Sequence, residues 1–161
     1  MIRPAEARDA AAIAALWNPI IRDTAITFNA AEKSAAEVAE LIAGKAQAGH
    51  AVFVAEVEDA VRGVALYGQF RAGVGYARAM EHTIVLSPDA RGLGLGRALL
   101  AAIEDHARAG GAHVLMAGVS GENADGVSFH ARMGFREIAR LPEVGWKFGR
   151  AMDLVLMQKF L

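Results

Sequence analysis

The most constraining feature of this sequence is a β-prone run followed within a few residues by alternating glycines. Thr83–Leu86 is the run, Ser87–Asp89 interrupts it, and Gly92, Gly94 and Gly96 precede apolar residues at helical spacing. This order predicts a strand, a tight turn and the start of a helix. Free backbone N–H groups in such a turn, together with the helix dipole, favour a bound anion. A phosphate or pyrophosphate is the expected ligand.

Two familiar glycine patterns do not fit this turn. A P-loop requires Gly-Lys-Ser/Thr, and no lysine follows any of these glycines. The dinucleotide pattern Gly-x-Gly-x-x-Gly fails from Gly92, because the third glycine comes one residue early, and from Gly94, because Leu99 takes its place. What remains is Arg-Gly-x-Gly-x-Gly over Arg91–Gly96, with a purely structural turn as the alternative.

Composition favours one compact domain and excludes several classes of function. Residues 1–161 are expected to form a single domain, since the sequence shows no repeat or linker. Hydrophobic residues make up 54%, charged residues 22% and the net charge is −1, so neither disorder nor a nucleic-acid partner is expected. Cysteine is absent, which excludes disulfides and thiolate nucleophiles. No signal peptide or membrane span is recognised, so a cytoplasmic protein without a membrane partner is expected.

The remaining sequence predicts a mixed α/β arrangement. Asp9 is expected to cap a first helix that Pro19 interrupts, and Ser34–Glu37 is a capping box that opens a second helix. A third helix is expected over 97–109 and a fourth over about 123–133. Strands are expected at 2–4, 51–56, 61–70, 83–86, 113–119, 136–141 and 153–160.

The strand, glycine turn and helix resemble those of the GNAT superfamily of acyl-CoA-dependent N-acetyltransferases. The similarity covers almost the whole chain. Within the superfamily, the chain most resembles the phosphinothricin acetyltransferase branch, which includes relatives that acetylate methionine sulfone and methionine sulfoximine. The motifs that carry it are Glu81-His82, Gly121–Ala124, Phe129-His130 before Gly134-Phe135, and Gly145–Gly149 before Asp153. Ala151-Met152 departs from that branch, where Trp or Leu is frequent. The resemblance implies a GNAT fold, with a mostly antiparallel sheet of about seven strands flanked by about four helices.

The resemblance also implies acetyl-CoA as cosubstrate, no metal, and a homodimer. Acetyl-CoA is expected along the strand that follows Glu81 and at the glycine turn. Asn123 is an ordinary helix cap by its sequence position, and the resemblance adds a contact with the CoA arm. The implied cofactor-binding residues are Ile84, Val85, Leu86, Arg91, Gly92, Leu93, Gly94, Leu95, Gly96, Arg97 and Asn123.

Glu81 and His130 are the expected catalytic residues. Transfer to an amine requires that the ammonium first lose a proton, and a partly desolvated carboxylate such as Glu81 can accept it. A solvated or salt-bridged carboxylate is the structural alternative. His130 stands where many GNAT enzymes carry a Tyr that protonates the departing thiolate, and its alternative is contact with CoA or packing beneath a helix.

The acceptor-binding residues expected are Phe28, Phe70, Arg71, Glu81 and His82. Arg71 is the first choice for an anionic group of the acceptor, ahead of Arg78, because its N–H donors suit a carboxylate, phosphinate or sulfone. His82 alternates to the face opposite Glu81, where a core hydrogen bond is the competing role. Four aromatic residues could either line the pocket or pack in the core, and the sequence does not decide between these roles: Phe28, Phe70, Tyr76 and Trp146.

The expected reaction is direct acetyl transfer from acetyl-CoA to the free amine of a small amino-acid-like substrate. Direct transfer is favoured because no cysteine is present to carry an acyl group. The alternatives are the same chemistry on a polyamine or a protein N-terminus, and a CoA-binding sensor without catalysis.

Overall fold

The structure, a computed structural model, describes residues 1–161 and contains four α-helices and seven β-strands. The helices are α1 Ala10–Asp23, α2 Ala35–Gln47, α3 Leu95–Ala109 and α4 Ala124–Arg132. The strands are β1 Ile2–Pro4, β2 Val52–Val57, β3 Ala60–Gln69, β4 Ala79–Leu86, β5 Val114–Ser120, β6 Arg136–Lys147 and β7 Arg150–Phe160. No helix combines the length and the apolar character needed to cross a bilayer.

All seven strands form one sheet, in the order β1-β2-β3-β4-β5-β7-β6. Every pairing is antiparallel except that of β4 with β5, which joins only Ala79–Glu81 to Val114–Met116. On its other side, β4 remains paired with β3 as far as Leu86. The sheet therefore opens between β4 and β5 immediately after Glu81.

Helices cover both faces of this sheet, and β4 contributes alternate residues to each face. Val85 belongs to the buried cluster beneath α1 and α2, whereas Met80 belongs to the cluster beneath α3. Because side chains alternate along a strand, Glu81 faces α1 and α2 while His82 faces α3 and α4. The capping box at Ser34 that was predicted for α2 is present, with Ser34 Oγ accepting from the backbone N–H of Glu37 at 3.1 Å.

The start and middle of α1 differ from the prediction. Asp9 does not cap the helix with its side chain; it is buried and accepts hydrogen bonds from Arg3. A 3₁₀ turn comes before α1, and this moves Asp9 away from the capping geometry. Pro19 lies inside a continuous helix rather than interrupting it. Trp17 and Ile21 are buried on either side of it, so core packing compensates for the backbone bond that proline removes.

The last hairpin is longer than predicted. β6 continues to Lys147, with a register shift between Leu141 and Gly145, and β7 begins at Arg150. An irregular register breaks the two-residue alternation by which a strand is recognised in sequence. Phe148 and Gly149 form the turn, with φ values of 55° and 71°.

Candidate active site

The opening between β4 and β5 leaves part of the β4 backbone without a strand partner. Odd-numbered positions of β4 bond toward β3, and the series ends with Ser87 N donating to Arg62 O at 2.9 Å. The intervening residues Ile84 and Leu86 therefore direct their N–H and C=O groups toward the opening. The backbone of Val85 points to β3, and its side chain is buried. Of these three residues, Ile84 and Leu86 are the ones whose backbone can bind a guest molecule.

The glycine turn lies at the far end of this opening. Gly92 and Gly94 have φ values of 80° and 78°, in the left-handed region where glycine is favoured. A Cβ at either position would meet no atom within 4 Å, so the turn faces open space. Gly94 is the N-cap of α3 and supplies no side-chain cap, so the first N–H groups of the helix remain available to an anion.

Gly96 serves a different purpose from the two glycines before it. It is buried in the first turn of α3, where a Cβ would lie 3.2 Å from the side chains of Leu86 and Phe129. This glycine therefore allows α3 to pack closely against β4 and α4. Side chains around the turn are exposed at Arg91, Leu93 and Arg97, and half-buried at Leu95.

Glu81 stands at the near end of the opening, on the face covered by α1 and α2. Its side chain is exposed, yet a Cβ on Gly118 of β5 would lie only 3.4 Å from Glu81 Oε2. Partial desolvation by the surrounding protein raises the pKa of the Glu81 carboxyl, and the positive charge of Lys45 acts in the opposite direction. A carboxylate with a raised pKa is a stronger base, as removal of a proton from an ammonium requires.

Lys45 of α2 is a neighbour of Glu81 that sequence reasoning did not assign to the site. Its ammonium lies over Gly68, the residue of β3 that pairs with Glu81, and a Cβ on Gly68 would lie 2.5 Å from Lys45 Nζ. No carboxylate lies within 4.0 Å of this ammonium. A glycine inside a strand can indicate the close approach of another group, and Gly68 was the available signal.

A cavity of about 360 Å³ adjoins the same side of Gly68. It is lined by Leu41, Gly44, Lys45, Ala48, His50, Gly68 and Gln69. The cavity thus contains one cationic side chain and one histidine, and its lining includes no carboxylate.

His82 and His130 meet on the opposite face of the sheet, where both are buried. Their Nε2 atoms are 3.0 Å apart, and His130 Nδ1 lies 2.7 Å from the carbonyl oxygen of Gly126. A carbonyl only accepts, so His130 Nδ1 donates to Gly126, and the Nε2 atom of neutral His130 accepts from His82 Nε2. Burial lowers the pKa of His130, and that of His82 to about 3.

This arrangement provides the core hydrogen bond that was the competing role for His82. Its side chain faces away from Glu81, and its remaining nitrogen, Nδ1, is buried without a hydrogen-bond partner. Both ring nitrogens of His130 are engaged within the protein. Proton donation by His130 to a thiolate would therefore require a change in these hydrogen bonds.

Asn123 occupies the capping position that its sequence context predicts. Its Oδ1 accepts from the backbone N–H of Gly126 at 2.9 Å, at the start of α4. The contact with a CoA arm that the resemblance implies stays a prediction. No group of three or more His, Asp or Glu side chains is arranged to hold a metal ion.

Arg71 lies in the exposed loop between β3 and β4. Its guanidinium is 5.5 Å from the centroid of the Tyr76 ring, and no ion pair joins it to Glu81. Gln69 Nε2 donates to the carbonyl oxygens of Arg71 and Gly73, both at 2.7 Å, and so orders the loop. Arg78 Nε already donates to the carbonyl oxygen of Gly111 at 3.0 Å. Of these two arginines, Arg71 is therefore the one whose guanidinium is more available to a ligand. Phe70, beside Arg71, is half-buried.

The loop after α1 is held against β6 by a buried lysine. Lys147 Nζ donates to the carbonyl oxygens of Thr24 at 2.6 Å and Thr27 at 2.9 Å. Phe28 of the same loop packs over Gly145, where a Cβ would lie 2.5 Å from the Phe28 ring. Phe28 is thus half-buried in a loop contact, whereas the neighbouring Trp146 is 69% exposed.

Comparison with known proteins identifies a family and several similar enzymes. Residues 2–156 match the acetyltransferase (GNAT) domain. The L-amino acid N-acyltransferase MnaT of Escherichia coli strain K12 is 38% identical over 157 residues, which cover 98% of this chain and 91% of that protein. An L-methionine sulfoximine/L-methionine sulfone acetyltransferase of Salmonella typhimurium is 36% identical over 157 residues, covering 98% of this chain and 92% of the relative.

Solved structures share the same architecture. A ribosomal-protein-alanine N-acetyltransferase from Brucella melitensis has a TM-score of 0.96 and 37% identity, covering 100% of this chain and 99% of that chain. A Salmonella typhimurium acetyltransferase, solved with its cofactor acetyl-CoA, has a TM-score of 0.95 and 35% identity, covering 100% and 93% of the two chains. The predicted fold, a mixed and mostly antiparallel sheet flanked by four helices, is confirmed. On this evidence the chain belongs to the GNAT acetyltransferase family.

Proposed function

We propose that the protein is an acetyl-CoA-dependent N-acetyltransferase that acts on the free amine of a small amino-acid-like substrate. The substrate type is that of phosphinothricin, methionine sulfone or methionine sulfoximine. One observation carries the proposal: Glu81 stands where β4 leaves β5, and the free backbone of Ile84 and Leu86 separates it from the glycine turn. A base, backbone donors and an anion site thus lie along one opening in the sheet.

The residues at this opening fit acetyl-CoA, which when bound supplies an acetyl group activated as a thioester. The open turn at Gly92 and Gly94, with the uncapped N-terminus of α3, suits the pyrophosphate. The N–H groups of Ile84 and Leu86 suit the pantetheine arm and the thioester carbonyl oxygen, whose growing negative charge they would stabilise. The protein thereby holds both reactants in place, and proximity contributes much of the rate.

Glu81 takes the proton from the acceptor ammonium, either directly or through a water molecule, and so exposes the lone pair that attacks. The raised pKa of Glu81 suits this role. His130 is retained as an auxiliary proton donor only, because a thiolate can leave without protonation when its conjugate acid has a pKa of about 8.5.

The second candidate function is acetylation of a protein N-terminus, which the name of the Brucella melitensis neighbour favours. A polyamine acceptor and a CoA-binding sensor without catalysis are the remaining alternatives. The retained carboxylate at Glu81 argues against a sensor, since binding of CoA alone does not need a base.

A panel of amines decides among these functions. Release of free CoA is measured with L-methionine sulfone, L-methionine sulfoximine, phosphinothricin, a polyamine and a peptide with an N-terminal alanine. Turnover with the first three acceptors is expected. Turnover confined to the peptide or the polyamine would replace the proposed substrate class, and tight CoA binding without any turnover would favour the sensor.

We further propose that the protein is a cytoplasmic homodimer. The edge strand β6 and its turn expose apolar side chains, with Val144 58%, Trp146 69% and Phe148 56% exposed. An exposed apolar edge is a common site of association. Sedimentation velocity and cell fractionation test the oligomeric state and the location.

A further inference from the structure

A half-buried cation stands beside the proposed base without a carboxylate partner. The ammonium of Lys45 lies over Gly68, which pairs with Glu81 across β3 and β4. Directly paired residues of neighbouring antiparallel strands point to the same face of the sheet, so the ammonium of Lys45 and the side chain of Glu81 lie over adjacent strands on one face. Burial lowers the pKa of Lys45, and the attraction of Glu81 offsets this only in part. A bound anion would compensate the remaining cost of desolvation.

The surroundings of Lys45 also suit an anion. His50 Nδ1 lies 3.8 Å from the position that a Cβ on Gly68 would take, so His50 and Lys45 converge on the same glycine. Burial and the charge of Lys45 lower the pKa of His50, which keeps its ring neutral at pH 7 with one N–H to donate. The cavity of about 360 Å³ around these side chains is large enough for the polar end of a small molecule.

We infer that this cavity binds the α-carboxylate of the acceptor, with Lys45 as its charged partner. The inference rests on the proposed function and narrows its substrate class. An α-amino acid carries its amine and its carboxylate on one carbon, so the amine can reach Glu81 while the carboxylate reaches Lys45. A protein N-terminus has an amide in place of that carboxylate, and a polyamine has no carboxylate.

The same assignment divides recognition of the acceptor between two cations. With the α-carboxylate at Lys45, Arg71 remains for the oxygens of the acceptor side chain, such as those of a sulfone, sulfoximine or phosphinate. Loss of Lys45 then affects recognition of the common amino-acid end, and loss of Arg71 affects recognition of the side chain.

The test compares L-methionine sulfone with its α-carboxamide, which has the same side chain and amine but no carboxylate. For Lys45→Met, kcat/KM with the acid is expected to fall about 10- to 100-fold, mainly through KM, with a much smaller change for the carboxamide. Lys45→Arg keeps the positive charge and should keep most of the preference for the acid. Since the two amines differ in basicity, the acid-to-amide ratio is compared between enzymes rather than interpreted alone.

A second variant displaces the ammonium without removing it. In Gly68→Ala the new methyl group occupies the space of Lys45 Nζ, and a flexible lysine end can move at little cost to folding. The preference for the acid should fall in this variant too. Equal losses of kcat/KM for acid and carboxamide in Lys45→Met would show that Lys45 only adjusts the basicity of Glu81, and would overturn the inference. A Lys45→Met enzyme that loses kcat/KM with neither compound would overturn it too.

Calorimetric binding of the same two compounds to the CoA-bound protein separates this inference from the proposed function. If acid and carboxamide are both left unacetylated, the proposed reaction with this acceptor fails. The carboxylate site still stands if the wild type binds the acid more tightly than the carboxamide and Lys45→Met does not. Binding of neither compound, or equal binding of both by the wild type, overturns the inference.

Discussion

At the scale of single residues, two neighbours on β4 show how a strand gives adjacent side chains opposite chemistry. Glu81 is exposed at the opening between β4 and β5, where partial desolvation raises its pKa. His82 is buried against His130 on the other face, where desolvation lowers its pKa to about 3. The first environment favours a carboxylate that accepts a proton more readily than an ordinary glutamate. The second favours a histidine that stays neutral and serves the fold.

Glu81→Gln should lower kcat by about 10²–10⁴-fold, the usual size of a general-base contribution. The amide keeps the shape of the side chain but has no basic oxygen, so acetyl-CoA affinity should change little. In the wild type, kcat/KM should fall on the acid side as Glu81 becomes protonated, and the raised pKa places this decline above the pH of an ordinary glutamate. Steady-state rates across pH for both enzymes measure these effects.

His130→Ala is the comparison that ranks the two expected catalytic residues. Its loss of kcat should be smaller, because both ring nitrogens of His130 are engaged within the protein. CoA binding serves as the control for folding. If Glu81→Gln stays fast at neutral pH while His130→Ala loses activity, the two roles must be exchanged.

Arg71→Ala should raise KM for the acceptor and leave acetyl-CoA binding almost unchanged, because only one substrate loses a charged partner. Arg78→Ala is the matched control, since that guanidinium already bonds the carbonyl oxygen of Gly111. Initial rates with each substrate varied in turn separate the two KM values. Equal damage to both substrates, or none to either, would contradict the assignment of Arg71.

The sequence alone predicts site residues that lie within one motif, but not residues that are brought together from separate helices and strands. Glu81 and the glycine turn follow one another along the chain, so their spacing was informative. Lys45 reaches the site from α2, and His82 meets His130 only because α4 packs on the face of the sheet to which His82 points. Such contacts depend on how helices are laid on the sheet, which no local pattern specifies.

At the scale of elements, the turn before α3 combines two requirements, a left-handed backbone and free N–H groups. Gly94→Asp should weaken CoA binding strongly, because its carboxylate would lie beside the expected pyrophosphate. Gly94→Asn is the control of equal shape, since both side chains bear the same strain at a φ of 78° and only one is charged. The rise in melting temperature with added CoA measures binding. Wild-type CoA affinity in a folded Gly94→Asp protein would show that the anion site lies elsewhere.

Elements with regular periodicity and clear caps were predictable, and irregular ones were not. The helix after the glycine turn was expected at 97–109 and begins at Leu95, and the capping box of α2 formed as predicted. β6 was predicted too short because its register shift hides the alternation, and α1 passes through Pro19 because core packing outweighs local propensity. These differences arise from tertiary contacts that a single sequence does not display.

At the scale of the whole molecule, one sheet lies between two buried clusters, beneath α1 and α2 on one face and α3 on the other. The two clusters share the central strands, so loss of packing on one face should weaken the other. That residues 1–161 form one domain stays a prediction. A single cooperative unfolding transition, with coincident fluorescence and circular-dichroism signals, would support it.

The buried pair formed by His82 of β4 and His130 of α4 should make stability depend on pH. In the folded protein the pKa of His82 is lowered to about 3, so the unfolded chain binds a proton that the folded chain rejects. Stability should therefore be full above pH 6.5 and fall as the pH drops from there toward 3, by about 2 kcal/mol between pH 7 and pH 5 for one such group. Urea denaturation of the wild type, His82→Gln and the exposed control His113→Gln at both pH values measures this loss. His82→Gln should be less stable at pH 7 yet less sensitive to acid, whereas His113→Gln should follow the wild type; an equally steep loss in all three would place the pH sensitivity outside the pair.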